Sequence, residues 1–297
     1  MDGLRELSQG WLGTPGTAAD AQTLKYEKHR KIVSLLDGRK ARTLKNGALC
    51  FLPGDRMPAA TAGEGPFAAA KSFTKRFPRF YTLLRRTFSP VCFSHEYRKE
   101  LNGFFQRHGN GDAVVNLGSG PGSFMHRADL INVDIFAFEG VDLVADAGDI
   151  PVRDGAVDAM LNISFLEHAE SMHQVVSEMH RVLKPGGEIL ATIDFMYPFH
   201  SAPSDYQRLT LMGLERLFSD FKDTKTGVVA GPTSSMLLML REWMATLLCF
   251  GSRRLYDLLY TCIAVLTFPV KYLDLLLCHY PFARISASCY YIRARKE

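Results

Sequence analysis

The chain has 297 residues, enough for one large or two small domains with a real core. Hydrophobic residues make up 47% and charged residues 22%, which excludes a disordered, collagen-like or low-complexity chain. With 35 basic and 31 acidic side chains the formal charge is +4, far weaker than a dedicated nucleic-acid binder shows, so no nucleic-acid partner is indicated. Met1 to Gly13 carries Asp2, Arg5 and Glu6 where a secretory signal needs an apolar core, which argues against export. From Gly38 to Gly65 the sequence turns to Gly, Pro and Ala around a short apolar run, Ala48 to Leu52, and reads as a small strand-and-turn module or extended arm. Residues 71–86, KSFTKRFPRFYTLLRR, hold six basic and no acidic side chains among Phe73, Phe77, Phe80 and Tyr81. Two readings stand there: a solvated basic face with its aromatics tucked inward, or a surface that meets anionic lipid headgroups or a phosphorylated substrate.

From Ala113 to about Asp223, short apolar runs alternate with amphipathic stretches, as in a parallel α/β sheet. Strands are expected at Val114 to Leu117, Leu130 to Ile135, Val141 to Ala145, Ala156 to Leu161 and Glu188 to Ile193. Glu167 to Leu183 places Val175, Met179 and Val182 at helical spacing, and Lys184-Pro185-Gly186-Gly187 supplies the stop. From Gly231 onward Leu, Met and aromatics dominate, and two helical stretches with wide apolar faces are expected, the second divided by Pro269. Leu258 to Val270 is uncharged for only thirteen residues, below the roughly 20 needed to span a bilayer, so a transmembrane helix is not expected. Ile285 to Arg293 is rich in β-branched and aromatic residues and reads as a final strand. The six cysteines form no CxxC pair and sit mostly among apolar neighbours, which fits reduced core thiols in a cytoplasm better than zinc ligands or disulfides.

Val114-Val115-Asn116-Leu117-Gly118-Ser119-Gly120-Pro121-Gly122 runs an apolar strand straight into a glycine turn, where the backbone can approach a ligand that any Cβ would displace. Its G-x-G-x-G spacing lacks the third glycine of the dinucleotide fingerprint, which disfavours a nicotinamide cofactor and an oxidoreductase. Asp134 ends the next apolar run, where a carboxylate can accept hydrogen bonds from ribose hydroxyls, and Asp146 with Ala147 follows the third. A single strand-end Asp is more often a helix cap or turn former; two in register behind a glycine loop point to a nucleoside.

These residues resemble the class I S-adenosylmethionine-dependent methyltransferases. The resemblance covers roughly Ala113 to Phe218 and rests on the ordered motifs NLGSGPG, INVD, ADAGDIPV, AVDAMLNISFLEHAE and EMHRVLKPGGEIL. It extends through His200-Ser201-Ala202-Pro203-Ser204-Asp205-Tyr206-Gln207-Arg208-Leu209-Thr210, and more weakly into the apolar C-terminal helices. It implies an α/β, Rossmann-like methyltransferase fold: a mostly parallel sheet with helices on both faces, plus an N-terminal arm and a C-terminal apolar helical insertion. The corresponding division is an arm with the basic aromatic segment at 1–110, the cofactor core at 111–230, the insertion at 231–284 and a final core strand at 285–297. By the same resemblance, Gly118, Ser119, Gly120 and Gly122 wrap the methionine part of S-adenosyl-L-methionine, Asp134 holds the ribose, Asp146 with Ala147 the adenine, and Asn162 to Phe165 lie beside the transferred methyl. Asn116 stands where the family usually has an acid, so its contact with the cofactor ammonium lacks charge. Ser123 to Leu130 leave only about 12 Å for the first helix, shorter than the family norm.

Methyl transfer from a sulfonium needs alignment and, for a hydroxyl or ammonium acceptor, a base. No metal follows from this chemistry, and no ligand cluster stands out in the sequence. His200 leads as base because it follows a strand end and sits beside Asp205, Tyr206 and Arg208; the alternative is a polar cluster that orders the loop. His168 is second. The expected activity is methyl transfer to a small-molecule or lipid-linked acceptor, with a glycan or lipid intermediate in view; the alternative is a cofactor-binding or membrane-associated scaffold without turnover. The apolar helices suit peripheral contact with the inner membrane face as well as a buried cap or dimer interface.

Overall fold

The computed structural model describes residues 18–53, 87–109, 111–120, 127, 129–200 and 204–297. The basic stretch 71–86, Gly122 and most of the connection after it lie outside the described residues. Among the described residues one sheet holds nine strands: β1 (Arg42–Thr43), β2 (Leu49–Cys50), β3 (Val114–Leu117), β4 (Ile131–Asp134), β5 (Leu143–Val144), β6 (Val157–Asn162), β7 (Leu183–Asp194), β8 (Lys222–Ala230) and β9 (Cys289–Arg295). Their order is β1-β2-β5-β4-β3-β6-β7-β9-β8. From β2 to β7 every pairing is parallel, and β9 runs antiparallel to both of its neighbours. This is a Rossmann-like α/β sheet, mostly parallel as the sequence implied.

A parallel sheet covered on both faces needs strands that are apolar on both sides, and β3 supplies Val114, Val115 and Leu117, all buried. Helix α1 (Ala18–Leu35) buries Ile32 and Leu35 in one core cluster, while α2 (His95–Arg107) turns Tyr97, Leu101 and Phe104 into the other. Ser94 caps α2 by accepting the Tyr97 N–H at 3.1 Å. At its far end Arg107 forks onto buried Glu188 of β7, at 2.6 and 3.1 Å.

Several boundaries differ from the sequence reading. The helix expected over Glu167 to Leu183 is split into a 3₁₀ turn, Leu166–His168, and α3 (Met172–Val182), because Ser171 stops the extended link by capping α3 through the Gln174 N–H. The strand expected at Glu188 begins earlier, at Leu183, and runs past the glycine pair, where Gly186 has φ +77°. The final strand starts at Cys289, since residues 281–285 form a 3₁₀ turn. The short strands around 42–50 pair onto the edge of the main sheet through β2 and β5. After α4 (Leu211–Leu217) comes β8, which the pattern did not reveal because its first residues, Lys-Asp-Thr-Lys-Thr, are polar.

Between β8 and β9 the chain forms α5 (Pro232–Leu248), α6 (Arg253–Thr267), a 3₁₀ segment (Phe268–Leu273) and α7 (Asp274–Leu277). Pro269 was expected to divide this stretch. It sits instead at the start of the 3₁₀ segment, where a missing N–H leaves no bond unmade, and the helical path continues. The resulting run, Arg253–Leu277, is long and apolar enough to cross a membrane by length and composition, contrary to the expectation from the uncharged stretch alone. Its two inner charges face the protein. Asp274 accepts the Thr233 and Ser234 N–H groups, each at 2.8 Å, and the Ser234 hydroxyl at 2.6 Å, which caps α5 from another helix. Lys271 Nζ donates to the carbonyls of Thr87 and Ser89 at 2.8 and 2.9 Å.

Replacing Asp274 by Ala orphans three buried donors. Chemical denaturation is expected to show a loss of about 2–4 kcal/mol for Asp274→Ala and a smaller loss for Asp274→Asn. Equal midpoints for the variant and the parent would show that the cap contributes nothing.

Candidate active site

The strand order reverses between β3 and β6, and such a reversal opens a crevice beyond the strand ends. Gly118 (φ +72°) and Gly120 (φ +66°) lead the chain out of β3 in a conformation that favours glycine. A Cβ on Gly118 would come within 2.3 Å of the Phe165 ring, whereas one on Gly120 would meet nothing within 4 Å, so the Gly120 backbone faces open space. Asp134, at the end of β4, is tied to this loop. Its Oδ2 accepts the Gly120 N–H at 2.7 Å and its Oδ1 the Phe136 N–H at 2.9 Å. Burial raises the Asp134 carboxyl above its ordinary range, and those N–H bonds hold the rise back.

The other expected cofactor residues separate into two groups. Ser119 Oγ and Asn162 Oδ1 are buried with no hydrogen-bond partner among the described residues, at the ends of β3 and β6. Asp146 is exposed beyond β5, with Oδ1 accepting the Gly148 N–H at 2.8 Å, and Ala147 is half-buried beside it. Asn116 lies inside the sheet, and its amide donates to Asn132 Oδ1 at 3.0 Å, tying β3 to β4. An open glycine backbone, a strand-end carboxylate and orphaned buried polar atoms fit a ligand carrying ribose hydroxyls and an amino-acid group. S-adenosylmethionine has both.

On the other side of β6 a second cluster forms. The 3₁₀ turn places Glu167 and His168 beside the loop that follows β7, and that loop is laced back onto the turn. The Tyr206 N–H donates to the Glu167 carbonyl at 2.9 Å, Ser204 Oγ donates to the His168 carbonyl at 3.3 Å, and His168 Nδ1 meets the Ser204 carbonyl. His200 is held from one side by the Pro198 carbonyl and Asp205, 3.3 and 3.5 Å from Nδ1, and its Nε2 lies 4.0 Å from Asp194 Oδ2. Asp205 accepts the His200 N–H at 2.9 Å and both arms of Arg208. Burial alone would raise the Asp205 carboxyl, but the bonds from Arg208 and the His200 N–H hold it below the usual carboxylate range. Asp205 therefore orients the loop and His200, while the Tyr206 side chain, 55% exposed, points to solvent and not into the cluster.

The sequence reading did not single out two carboxylates. Asp194 is buried at the end of β7, and Glu167 is fully buried with neither oxygen hydrogen-bonded to another residue among the described residues. Burial, followed by the nearby Asp194 charge, pushes Glu167 up to about 8, and burial raises Asp194 as well. Asp194 carried a readable signal, since it closes the apolar run of β7 as Asp134 closes that of β4. Glu167, His168 and His200 offer ligating atoms within 4.8 Å of one another, a cluster of donors that sequence spacing did not show. Chemically the group can take up a proton or hold a cation.

With its carboxyl pushed up to about 8, against 4.5 for the ordinary group, Glu167 keeps its proton through the neutral range. The folded chain then binds a proton that the unfolded chain has released, so stability falls as pH rises from about 5 to about 8. Thermal unfolding of Glu167→Gln is expected to show a smaller fall over this range and to exceed the parent in stability above pH 8. Superimposable pH profiles would contradict the assignment.

Residues 115–191 match a family model described as a methyltransferase domain. A curated relative, the tRNA (carboxymethyluridine(34)-5-O)-methyltransferase ALKBH8 of Mus musculus, is 31% identical over 100 residues, covering 27% of this chain and 14% of the relative. The chain thus spans about a seventh of that protein's length. Among solved structures, phosphoethanolamine N-methyltransferase 2 of Haemonchus contortus, with S-adenosyl-L-methionine bound, is 18% identical with a TM-score of 0.45, over 68% of this chain and 52% of that one. An S-adenosylmethionine-dependent methyltransferase of Thermotoga maritima, described as a possible histamine N-methyltransferase, is 14% identical with a TM-score of 0.45, over 78% and 100%.

Proposed function

We propose that the chain is a class I S-adenosylmethionine-dependent methyltransferase that transfers a methyl group to a hydroxyl or amine of a small-molecule or lipid-linked acceptor, on the cytoplasmic side of a cell, a reading supported by the methyltransferase-domain match over residues 115–191. The observation that carries the reading is the unpaired, buried Glu167 beside Asp194 and His200, adjacent to the strand that borders the glycine loop.

Gly118 and Gly120 would admit the cofactor, Asp134 would accept from its ribose, and Ser119 and Asn162 have the unmet atoms to bind its polar parts. The cofactor supplies an electrophilic methyl on a positively charged sulfur. His200 Nε2, which faces Asp194 Oδ2 at 4.0 Å, is the atom to take the proton that the acceptor loses, and Asp205 with the Pro198 carbonyl on Nδ1 fixes the ring for that task. His168, its Nδ1 directed at the Ser204 carbonyl, packs its ring edge-on against that of His200, 5.0 Å between centroids. The six free cysteines support a reducing compartment.

One observation favours a cofactor-binding scaffold without turnover: Asn116 spends its amide on Asn132 and provides no charge for the cofactor ammonium. Release of S-adenosylhomocysteine in the presence of cell lipid extracts separates the two readings, since only the enzyme produces it. For the enzyme, Asp134→Ala is expected to weaken cofactor binding in calorimetry roughly ten- to hundredfold, the loss of a charge-assisted hydrogen bond. His200→Ala is expected to lower turnover by about 10² to 10⁴ with cofactor affinity retained. Full turnover in His200→Ala would leave that histidine a purely structural residue.

A further inference from the structure

We propose that the outer face of the helical block between β8 and β9 docks in the plane of an anionic lipid bilayer. The apolar face itself is plain: Phe250, Leu266 and Phe282 are 88%, 78% and 74% exposed, and Trp243, Leu247 and Leu276 are exposed with them. Of the most apolar stretch of Arg253–Leu277 only 22% is buried, so this is not the core helix of a globular domain. An apolar face of this extent marks an interaction site.

Charge selects lipid as the occupant. Every acidic group of the block is already engaged. Asp274 caps α5 in the interior, Asp257 is paired with Arg253 at 3.3 Å, and Glu242 accepts the Tyr256 hydroxyl. Lys271 and Arg241 are turned inward onto backbone carbonyls. What the block shows outward is apolar, with exposed Arg254 at the turn between α5 and α6, beside the Arg253–Asp257 pair, and exposed Arg284 near its end. An apolar face edged by cations complements acyl chains beneath anionic headgroups, and the exposed Trp243, Tyr272 and Tyr280 suit the boundary between them.

The block also adjoins the acceptor side of the site. Tyr260 of α6 and Arg241 of α5 lie within electrostatic range of Tyr197, whose ring is 5.1 Å from that of His200. Docked this way, the acceptor side lies next to the surface where a lipid-linked substrate resides. This last step rests on the methyl-transfer reading, and the docking surface does not.

The test is co-sedimentation of the full chain with vesicles of phosphatidylcholine alone or mixed with phosphatidylglycerol, at low and high salt. Binding is expected to strengthen with phosphatidylglycerol and weaken with salt. L266D and F282D together, and R254E with R284E, are each expected to reduce it roughly tenfold or more. Circular dichroism and calorimetry with S-adenosylhomocysteine on the same variants distinguish a lost surface from a lost fold or cofactor site. Binding that L266D with F282D leaves intact would overturn the proposal, because another part of the chain would then be responsible. So would a monodisperse monomer that ignores both vesicles, or a dimer that L266D dissolves and that never sediments with lipid.

Discussion

The structure depends on where β9 enters the sheet. It slides antiparallel between β7 and β8, and its first residue, Cys289, pairs with Asp194 on one side and Ala230 on the other. The chain that leaves the sheet at Ala230 therefore has to return beside the point of departure. Everything from Gly231 to Ser288 is an excursion rooted at the end of β7, next to Asp194. Close packing reinforces the register: Tyr291 lies flat against Gly227, where a Cβ would sit 2.6 Å from the ring. The parallel half of the sheet presents the glycine loop and Asp134, and the antiparallel half roots the helical block beside the end of β7.

Buried charges divide along the same line. Asp274, Lys271 and Glu188 are buried and each is met by protein donors or acceptors, which is how structural charges survive in an interior. Glu167 is as deeply buried, its oxygens meet no other residue's hydrogen-bonding group among the described residues, and the Asp194 charge raises it against the opposing pull of its own N–H and Arg208. A fold does not retain an unmet carboxyl for stability, and its position beside two imidazoles puts its unmet hydrogen-bonding capacity where a substrate proton or cation would supply it.

The central strands could be read from the sequence because burial on both faces leaves a continuous apolar run, and the glycine loop because its backbone conformation restricts residue choice. The strand-end aspartates followed from these. What escaped reading has a common cause. β8 opens with polar residues because it lies at the sheet edge, α2 is recognised only through its contacts with β8 and β9, and Pro269 looks like a breaker until its 3₁₀ position is known. Glu167 and His200 come from separate segments, and only the lacing of residues 204–208 onto the 3₁₀ turn makes them neighbours. Asp205 accepts the His200 N–H, and Tyr206 gives its own N–H to the Glu167 carbonyl.

The adjacency of Ala230 and Cys289 has an evolutionary side. Two residues paired across neighbouring strands can be joined by a tight turn, so the sheet could close without the helices, and a different segment could be grafted at the same root without shifting a strand. Such a cassette can be exchanged while the strands that carry Gly118, Gly120 and Asp134 keep their register. The sheet thus separates a fixed frame from an excursion whose two ends meet.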